Sequence, residues 1–266
     1  MSDLAAASAW AGIAPARSRP GVFFGAVLLA YLAFGARGAS AEDLFQKGVA
    51  AYRGADYALA ARIFRESAAS QPASGTLLNL GNAEWQSRRT GAAVQAWEQT
   101  LWLEPFDALA RGNLQFARKN AQLEAPDLVW YEVVSSWLPV SWWAWLTGVS
   151  LWLAIGMTTL PGILRRPKAV WHQAVAALGL MIFLLSVPAH IGVHTRSRIG
   201  FVLHKDTPLR LTPTTEAQSL IRLPSGEAAR CEKTHGNFVL IRTNHSSGWV
   251  EQSQLGLICP KSGAVL

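Results

Sequence analysis

The chain has 266 residues, of which half are hydrophobic, 15% are charged and 12 are tryptophan, and its formal net charge is +7. So low a charged fraction is unusual for a soluble globular protein. Together with the many tryptophans, which favour the membrane interface, it indicates a membrane component. The positive charge is spread along the chain and forms no basic stripe interleaved with aromatic residues, which argues against nucleic-acid binding.

The N-terminus predicts a bacterial-type secretory signal peptide over residues 1–41. Arg17 and Arg19 precede an apolar run at 21–35, and residues 39–41 read Ala-Ser-Ala, the small-x-small pattern of a signal peptidase site. An uncleaved anchor helix is the alternative. Both interpretations place the chain after this segment outside the cytoplasm.

A repeated pattern follows over residues 42–122. Small, aromatic and proline residues recur 33 positions apart, at Gly48, Tyr52, Ala60, Phe64 and Pro72 and again at Gly81, Trp85, Ala93, Trp97 and Pro105. Each copy predicts two amphipathic helices, at 44–53 and 57–71 in the first copy and at 77–87 and 92–104 in the second. Residues 108–122 repeat part of the pattern without a second helix, and we expect them to cap the array.

This pattern resembles the tetratricopeptide repeat (TPR) family, whose helix pairs stack into an array with a concave groove. The resemblance implies that the first helix of each pair lines the groove and that its polar side chains contact a peptide partner. Those side chains are Arg53, Asn79, Asn82, Gln86 and Asn113. Asparagines in such grooves hold an extended peptide backbone. The alternative is that these side chains are only solvated, or that Asn79 and Asn113 pair with neighbouring helices.

Two long apolar segments predict a transmembrane hairpin. We place the spans at residues 141–164 and 170–193, each long enough to cross a hydrocarbon core of roughly 30 Å. The loop at 165–169 carries two arginines and a lysine, which keeps it in the cytoplasm by the positive-inside rule. Residues 123–140 form a linker or interfacial segment, and both flanking regions are expected on the exported side.

The pattern changes to strand periodicity over residues 199–260, where short apolar runs alternate with turn residues. This segment resembles the bacterial SH3-like domain family in its residues 223–231, its hairpin at 236–243 and its Gly-Trp-Val signature at 248–250. The resemblance implies a small barrel that binds peptides or cell-wall material. Trp249 is either a ligand platform or a packing residue of that barrel.

The sequence has no signature of an enzyme, and we predict no catalytic residues and no cofactor. Paired catalytic carboxylates, a nucleophile elbow, an HExxH motif and a phosphate-binding loop are all missing from it. His190 and His194 share a helix face without a third ligand, so we predict no metal site. Cys231 and Cys259 either pair in a disulfide, which an exported location permits, or are two buried apolar side chains.

The predicted fold is multidomain, with all-α TPR helical repeats, a two-helix transmembrane hairpin and a small all-β SH3-like barrel. This order resembles the BatE-type TPR proteins of the bacterial aerotolerance (Bat) operons. Residues 43–64, the cap at 108–119 and the membrane segment after it carry the resemblance. It implies membrane-anchored or periplasmic partners, including proteins with von Willebrand A domains, and indirectly a MoxR-type ATPase.

We therefore expect a non-enzymatic scaffold of the bacterial inner membrane, with its TPR and SH3-like domains on the periplasmic side. Its expected partners are envelope proteins and the lipid bilayer, and not nucleic acid. The alternative is a cell-wall-associated protein whose SH3-like domain binds peptidoglycan and thereby targets or regulates a wall enzyme.

Overall fold

A computed structural model describes residues 41–165, 167 and 169–259. The predicted signal peptide therefore lies outside the described residues, except for its last residue. The helical region consists of α1 (41–53), α2 (Tyr57–Ser70), α3 (Ser74–Gln86), α4 (Thr90–Leu103) and α5 (Ala108–Ala121). These bounds agree with the five predicted segments to within three residues at every end.

Glycine faces an aromatic ring at the same place in both helix pairs. A Cβ atom added to Gly48 would lie 2.6 Å from the Phe64 ring, and one added to Gly81 would lie 2.4 Å from the Trp97 indole. Only glycine permits so close an approach of a helix to a ring, and both rings are buried in the core. The repeated pattern in the sequence thus corresponds to one packing arrangement made twice.

Polar side chains and one backbone reversal set the ends of these helices. Asp56 accepts a hydrogen bond from the Leu59 N–H at 3.0 Å, and Asp107 accepts one from the Ala110 N–H at 2.8 Å. Each bond satisfies a donor that the first turn of a helix leaves unpaired. At the other end of the array α5 stops at Gln122, whose φ of 53° is left-handed and turns the chain away.

Two of the next three helices are long and apolar. After the short α6 (Trp130–Ser135) come α7 (Val140–Ile163) and α8 (Val170–Arg196), with 24 and 27 residues. By length and composition α7 and α8 can each cross a membrane, and only 17% and 22% of their most apolar windows are buried. They are therefore unlike the core helices of a soluble protein. α6 lies in the predicted linker, and α8 extends three residues beyond the predicted span.

α7 and α8 pack against each other through small residues. Ser150, Ala154, Ala176 and Gly179 are buried between them. Small side chains let two helix backbones approach closely, which is the usual packing of helices in lipid. The Thr147 hydroxyl donates to Ser186 Oγ at 2.9 Å and lies 2.7 Å from His190 Nε2, so the contact also contains a polar cluster.

Seven strands follow α8 and form one antiparallel sheet. They are β1 (Ile199–Val202), β2 (Thr207–Arg210), β3 (Ser219–Leu223), β4 (Ala228–His235), β5 (Phe238–Arg242), β6 (Ser247–Glu251) and β7 (Leu255–Leu257). Their order across the sheet is β3-β2-β6-β5-β4-β1-β7, so β3 and β7 are at its two ends. The β4–β5 hairpin turns at Gly236, where the sequence predicts a turn.

The Ser-Ser-Gly run at 246–248 also predicts a turn, but the turn in the structure lies two to three residues earlier in the chain. Ser247 and Gly248 already belong to β6, where Gly248 pairs with Ile241. The turn lies at 243–246 because the Thr243 hydroxyl accepts the Ser246 N–H at 3.1 Å. The turn is therefore set by the threonine side chain and not by the Ser-Ser-Gly run that follows it in the sequence.

The helical array and the sheet share one hydrophobic core. Ile199 and Phe201 on one face of β1 pack with α4 and α5, next to Trp97 and Leu114. Val202, on the opposite face of β1, belongs to the core between the strands. Because β1 is buried on both faces, the two regions form one body rather than two modules on a flexible linker.

Candidate functional site

Polar contacts hold α4 against the last strand of the sheet. The side-chain amides of Gln95 and Gln99 donate to the Leu257 carbonyl at 3.2 and 2.9 Å, and the Gly91 N–H donates to Ser225 Oγ at 2.8 Å. The two glutamine bonds cover β7, an edge strand whose backbone groups are otherwise available to another chain, and the Gly91 bond holds α4 to the loop before β4. The face of α4 that makes them is occupied and cannot receive a partner.

An amide cluster joins α3 to α5. Asn82 Oδ1 accepts hydrogen bonds from Asn113 Nδ2 at 2.8 Å and from the Trp97 Nε1–H at 3.1 Å. Both asparagines are half-buried. Because the Asn82 oxygen already has two donors, its NH2 group is the part of the side chain that can serve a ligand, and that group donates to a carbonyl.

Exposed apolar side chains lie beside the amide cluster. Leu109, Asn113 and Phe116 share one face of α5 by their helical spacing, and Leu109 and Phe116 are 68% and 61% exposed. The Phe116 ring meets the edge of the half-buried Trp85 at a centroid distance of 5.8 Å. The site is therefore a surface of one aromatic pair, one leucine and two amides, which we call the α3–α5 surface.

Of the five predicted groove residues, the structure brings two together. Asn82 and Asn113 form the cluster described above, so for Asn113 the pairing with a neighbouring helix is realised. Asn79 donates to the Gly75 carbonyl of its own helix at 2.9 Å. Arg53 and Gln86 are exposed near the C-terminal ends of α1 and α3.

Sequence reasoning missed Leu109 and Phe116 as members of the site and treated Trp85 only as a packing residue. Two large apolar residues seven positions apart on a capping helix were the available signal. A cap without a second helix has no partner for such a stripe, so the stripe has to remain exposed.

Buried carboxylates fix the angles between neighbouring helices. Glu84 of α3 is 1% exposed and pairs with Arg65 and, at 2.6 Å, with Arg89. Glu98 of α4 pairs with Arg118 of α5. Burial raises the pKa of both carboxyls, although their arginine partners oppose the shift. The helices that form the α3–α5 surface are thus held together by the ion pairs of these buried carboxylates.

The predicted residue of the sheet, Trp249, is half-buried on β6. It pairs across the strands with Arg210 and Leu240, and its ring lies edge-on to the His235 imidazole at 6.4 Å. Neighbouring strands therefore bury part of the indole. The geometry combines the packing and platform interpretations, because part of the ring stays open to solvent.

Cys231 and Cys259 line one small cleft beside β7, with no disulfide between them. β1 separates β4, which holds Cys231, from the segment that follows β7. Two strand spacings amount to roughly 10 Å, whereas disulfide-linked Cα atoms are about 4–7 Å apart. Burial raises the pKa of the Cys231 thiol to about 12. A disulfide between the two cysteines stays a prediction.

A cleft of about 510 Å³ lies between the sheet and the chain before α6. Arg230 and Arg242 line it, but Arg230 is paired with Glu132 at 2.6 Å and Arg242 with Glu232 at 2.5 Å. Because both cations already have carboxylate partners, the cleft offers no uncompensated charge to an anionic ligand.

Comparisons with known protein families, with curated proteins and with solved structures find no match to this chain. Within residues 41–165, 167 and 169–259, no three His, Cys, Asp or Glu side chains are grouped so that they could hold a metal ion. The chemistry that the described surface does offer is apolar contact and amide hydrogen bonding, which suits a polypeptide ligand.

Proposed function

We propose that this chain is a non-enzymatic scaffold of the bacterial inner membrane whose exported TPR and SH3-like domains bind envelope proteins. The observation that carries the proposal is the α3–α5 surface, where Phe116 and Leu109 are exposed beside the bonded pair Asn82 and Asn113. Exposed apolar side chains that are grouped beside hydrogen-bonding groups are typical of an interaction site.

The ligand that fits this surface best is an extended segment of a partner protein. The Asn82 NH2 group donates to a backbone carbonyl, and the ring pair of Trp85 and Phe116 receives an apolar side chain. A surface of this size buries less than a standard interface of about 1,600 Å², so its affinity for a free peptide is low. Confinement of both proteins to one membrane raises their effective concentration and offsets that weakness.

The exported placement is supported by three features of the chain. The positively charged loop between α7 and α8 favours a cytoplasmic hairpin tip, and the predicted signal peptide favours export of the helical array. Because α7 and α8 form a hairpin, the array and the sheet lie on the same side of the membrane, as their shared core requires.

The resemblance to BatE-type proteins supplies candidates for the partner. It favours membrane-anchored proteins with von Willebrand A domains, and a MoxR-type ATPase as an indirect participant in aerotolerance or a stress response. In this proposal the SH3-like domain supports the array through α4, and its half-open Trp249 is a second contact point.

A charge at position 116 should abolish partner binding and leave the fold intact. Phe116→Glu places a carboxylate in the apolar contact, and loss of an aromatic anchor of this kind costs about 2 kcal/mol or more, roughly thirtyfold in Kd. The measurement is co-purification from cross-linked native membranes, with partners identified by mass spectrometry.

Phe106→Glu is the matched control for this experiment. Phe106 is 67% exposed in the turn before α5 and is not a member of the α3–α5 surface, and its substitution should leave partner recovery unchanged. Equal partner recovery from both variants, with both chains folded, would overturn the assignment of the α3–α5 surface as the binding site.

A further inference from the structure

α6 has one face that is apolar and exposed. Trp130 and Val133 of α6 are 64% and 40% exposed, and Val129 just before it and Trp137 just after it are 45% and 60% exposed. The first turn of the following α7 also has an exposed ring, with Trp142 at 64%. A patch this rich in tryptophan is costly in water and is typical of the interface between water and lipid.

The lengths of α7 and α8 set the depth of this patch. A hydrocarbon core of roughly 30 Å takes up about 20 helical residues. Counted from the charged loop, those 20 residues end near residue 144 on α7 and near residue 189 on α8. The last turns of α8, up to Arg196, therefore extend beyond the hydrocarbon into the headgroup region.

α6 is fixed to that projecting part of the hairpin. The Tyr131 carbonyl lies so close to Gly192 that a Cβ atom there would be 2.2 Å from it. Ser135 accepts a hydrogen bond on its hydroxyl from Arg196 at 3.2 Å and one on its carbonyl from the Trp143 indole, also at 3.2 Å. α6 therefore lies at headgroup depth and cannot swing away from it.

The opposite face of α6 holds the sheet. Glu132 is fully buried there and receives both Nη groups of Arg230 on β4, at 2.6 and 2.9 Å. The helix therefore has a polar side bound to the sheet and an apolar side that is partly exposed.

We propose that α6 is embedded in the headgroup region of the outer leaflet, with Val129, Trp130, Val133 and Trp137 in contact with lipid. The exposed rings at the start of α7 and the depth of α6 on the hairpin favour lipid as its occupant. The bilayer then fixes the orientation of the sheet and the α3–α5 surface relative to the membrane. The inference rests on the proposed insertion of α7 and α8.

Spin labels at the patch test this placement in the full chain, reconstituted in lipid nanodiscs. Labels are introduced by Trp130→Cys and Trp137→Cys in a background carrying Cys231→Ala and Cys259→Ala. Trp152→Cys, at a site 73% exposed in the middle of α7, is the lipid reference, and Leu211→Cys, at a site 54% exposed after β2, is the water reference. Accessibility to oxygen, which dissolves in lipid, is compared with accessibility to a water-soluble nickel complex.

At positions 130 and 137 the accessibility to oxygen should exceed the accessibility to the nickel complex, as it should at position 152. At position 211 the accessibility to the nickel complex should be the greater of the two. Nickel access at 130 and 137 equal to that at 211 overturns the inference while the lipid reference still supports the spans. Nickel access at 152 contradicts the membrane proposal itself. Shielding of 130 and 137 from both probes indicates a protein contact and also overturns lipid as the occupant.

A second measurement needs no substitution, so it can be made even if the chain with Cys231→Ala and Cys259→Ala does not fold. In vesicles of the unmodified protein, a lipid with a photoactivatable carbene near its headgroup should label the peptide that contains residues 129–137. Labelling confined to α7 and α8 overturns the inference.

Discussion

Replacing Arg230 with alanine should cost about 3–5 kcal/mol of unfolding free energy, because it leaves a buried carboxylate without its cation. Glu132 is 0% exposed, and its two oxygens lie 2.6 and 2.9 Å from the Nη groups of Arg230. Removal of one partner of a buried pair is far more costly than replacement of both. Glu132→Gln with Arg230→Met should therefore recover much of the loss.

Denaturant unfolding of the full chain in nanodiscs, followed by tryptophan fluorescence, measures this cost. Arg242→Ala is the matched control, since its partner Glu232 lies on the surface and the two side chains are 66% and 29% exposed. Such pairs contribute about 0–1 kcal/mol. Equal losses in the two alanine variants would contradict the role assigned to the Glu132–Arg230 pair.

The same pair has a defined pH dependence. Burial favours the protonated form of Glu132, but hydrogen bonds from Arg230, Thr195 and the Val129 N–H outweigh it and hold its pKa below the ordinary 4.5. A depressed carboxyl pKa stabilises the fold fully above that ordinary value, and the contribution is lost as pH falls through the folded pKa. The stability difference between wild type and the neutral double variant should therefore shrink below about pH 4.5. Glu98, with its raised pKa, is common to both chains and cancels.

Gly91→Val should separate the helical array from the sheet. A Cβ atom at this position would lie 2.2 Å from the Val202 carbonyl oxygen and 2.7 Å from that of Leu203. Both are backbone atoms at the end of β1 and cannot rotate away, so the cost is at the top of the overpacking range, about 3 kcal/mol. Amide hydrogen exchange should speed up in β7, whose covering by α4 is lost.

Gly75→Ala on α3 is the control for the glycine experiment. No atom lies within 4 Å of its added Cβ, and alanine favours a helix over glycine by about 1 kcal/mol. This variant should be neutral or slightly more stable, with unchanged exchange in β7. Protection of β7 that survives Gly91→Val would show that α4 does not hold the sheet edge.

The sequence was sufficient to predict the elements whose signals are local. The 33-residue displacement predicts α1 to α4, because the glycine-to-ring contact that causes it lies within one helix pair, and the partial repeat at 108–122 predicts α5. The two long apolar runs predict α7 and α8 because span length depends only on composition. Both patterns can be recognised without knowledge of the tertiary structure.

The contacts between regions could not be predicted in this way. Gln95 and Leu257 are 162 positions apart, and Glu132 and Arg230 are 98 apart, with no shared period to reveal them. The same limit applies to the site. Asn82 and Asn113 were predicted from the repeat. Phe116 is exposed because the capping helix α5 has no second helix to cover it, and the repeat pattern does not show this.

We propose that a membrane-tethered α3–α5 surface holds an envelope protein. Photo-crosslinking in living cells tests this proposal, with a benzophenone amino acid at position 116 and, as control, at position 106. We expect adducts with one or a few membrane-anchored or periplasmic proteins at position 116 and none of these at position 106. Identical adducts at the two positions, or adducts with cytoplasmic proteins alone, would contradict it.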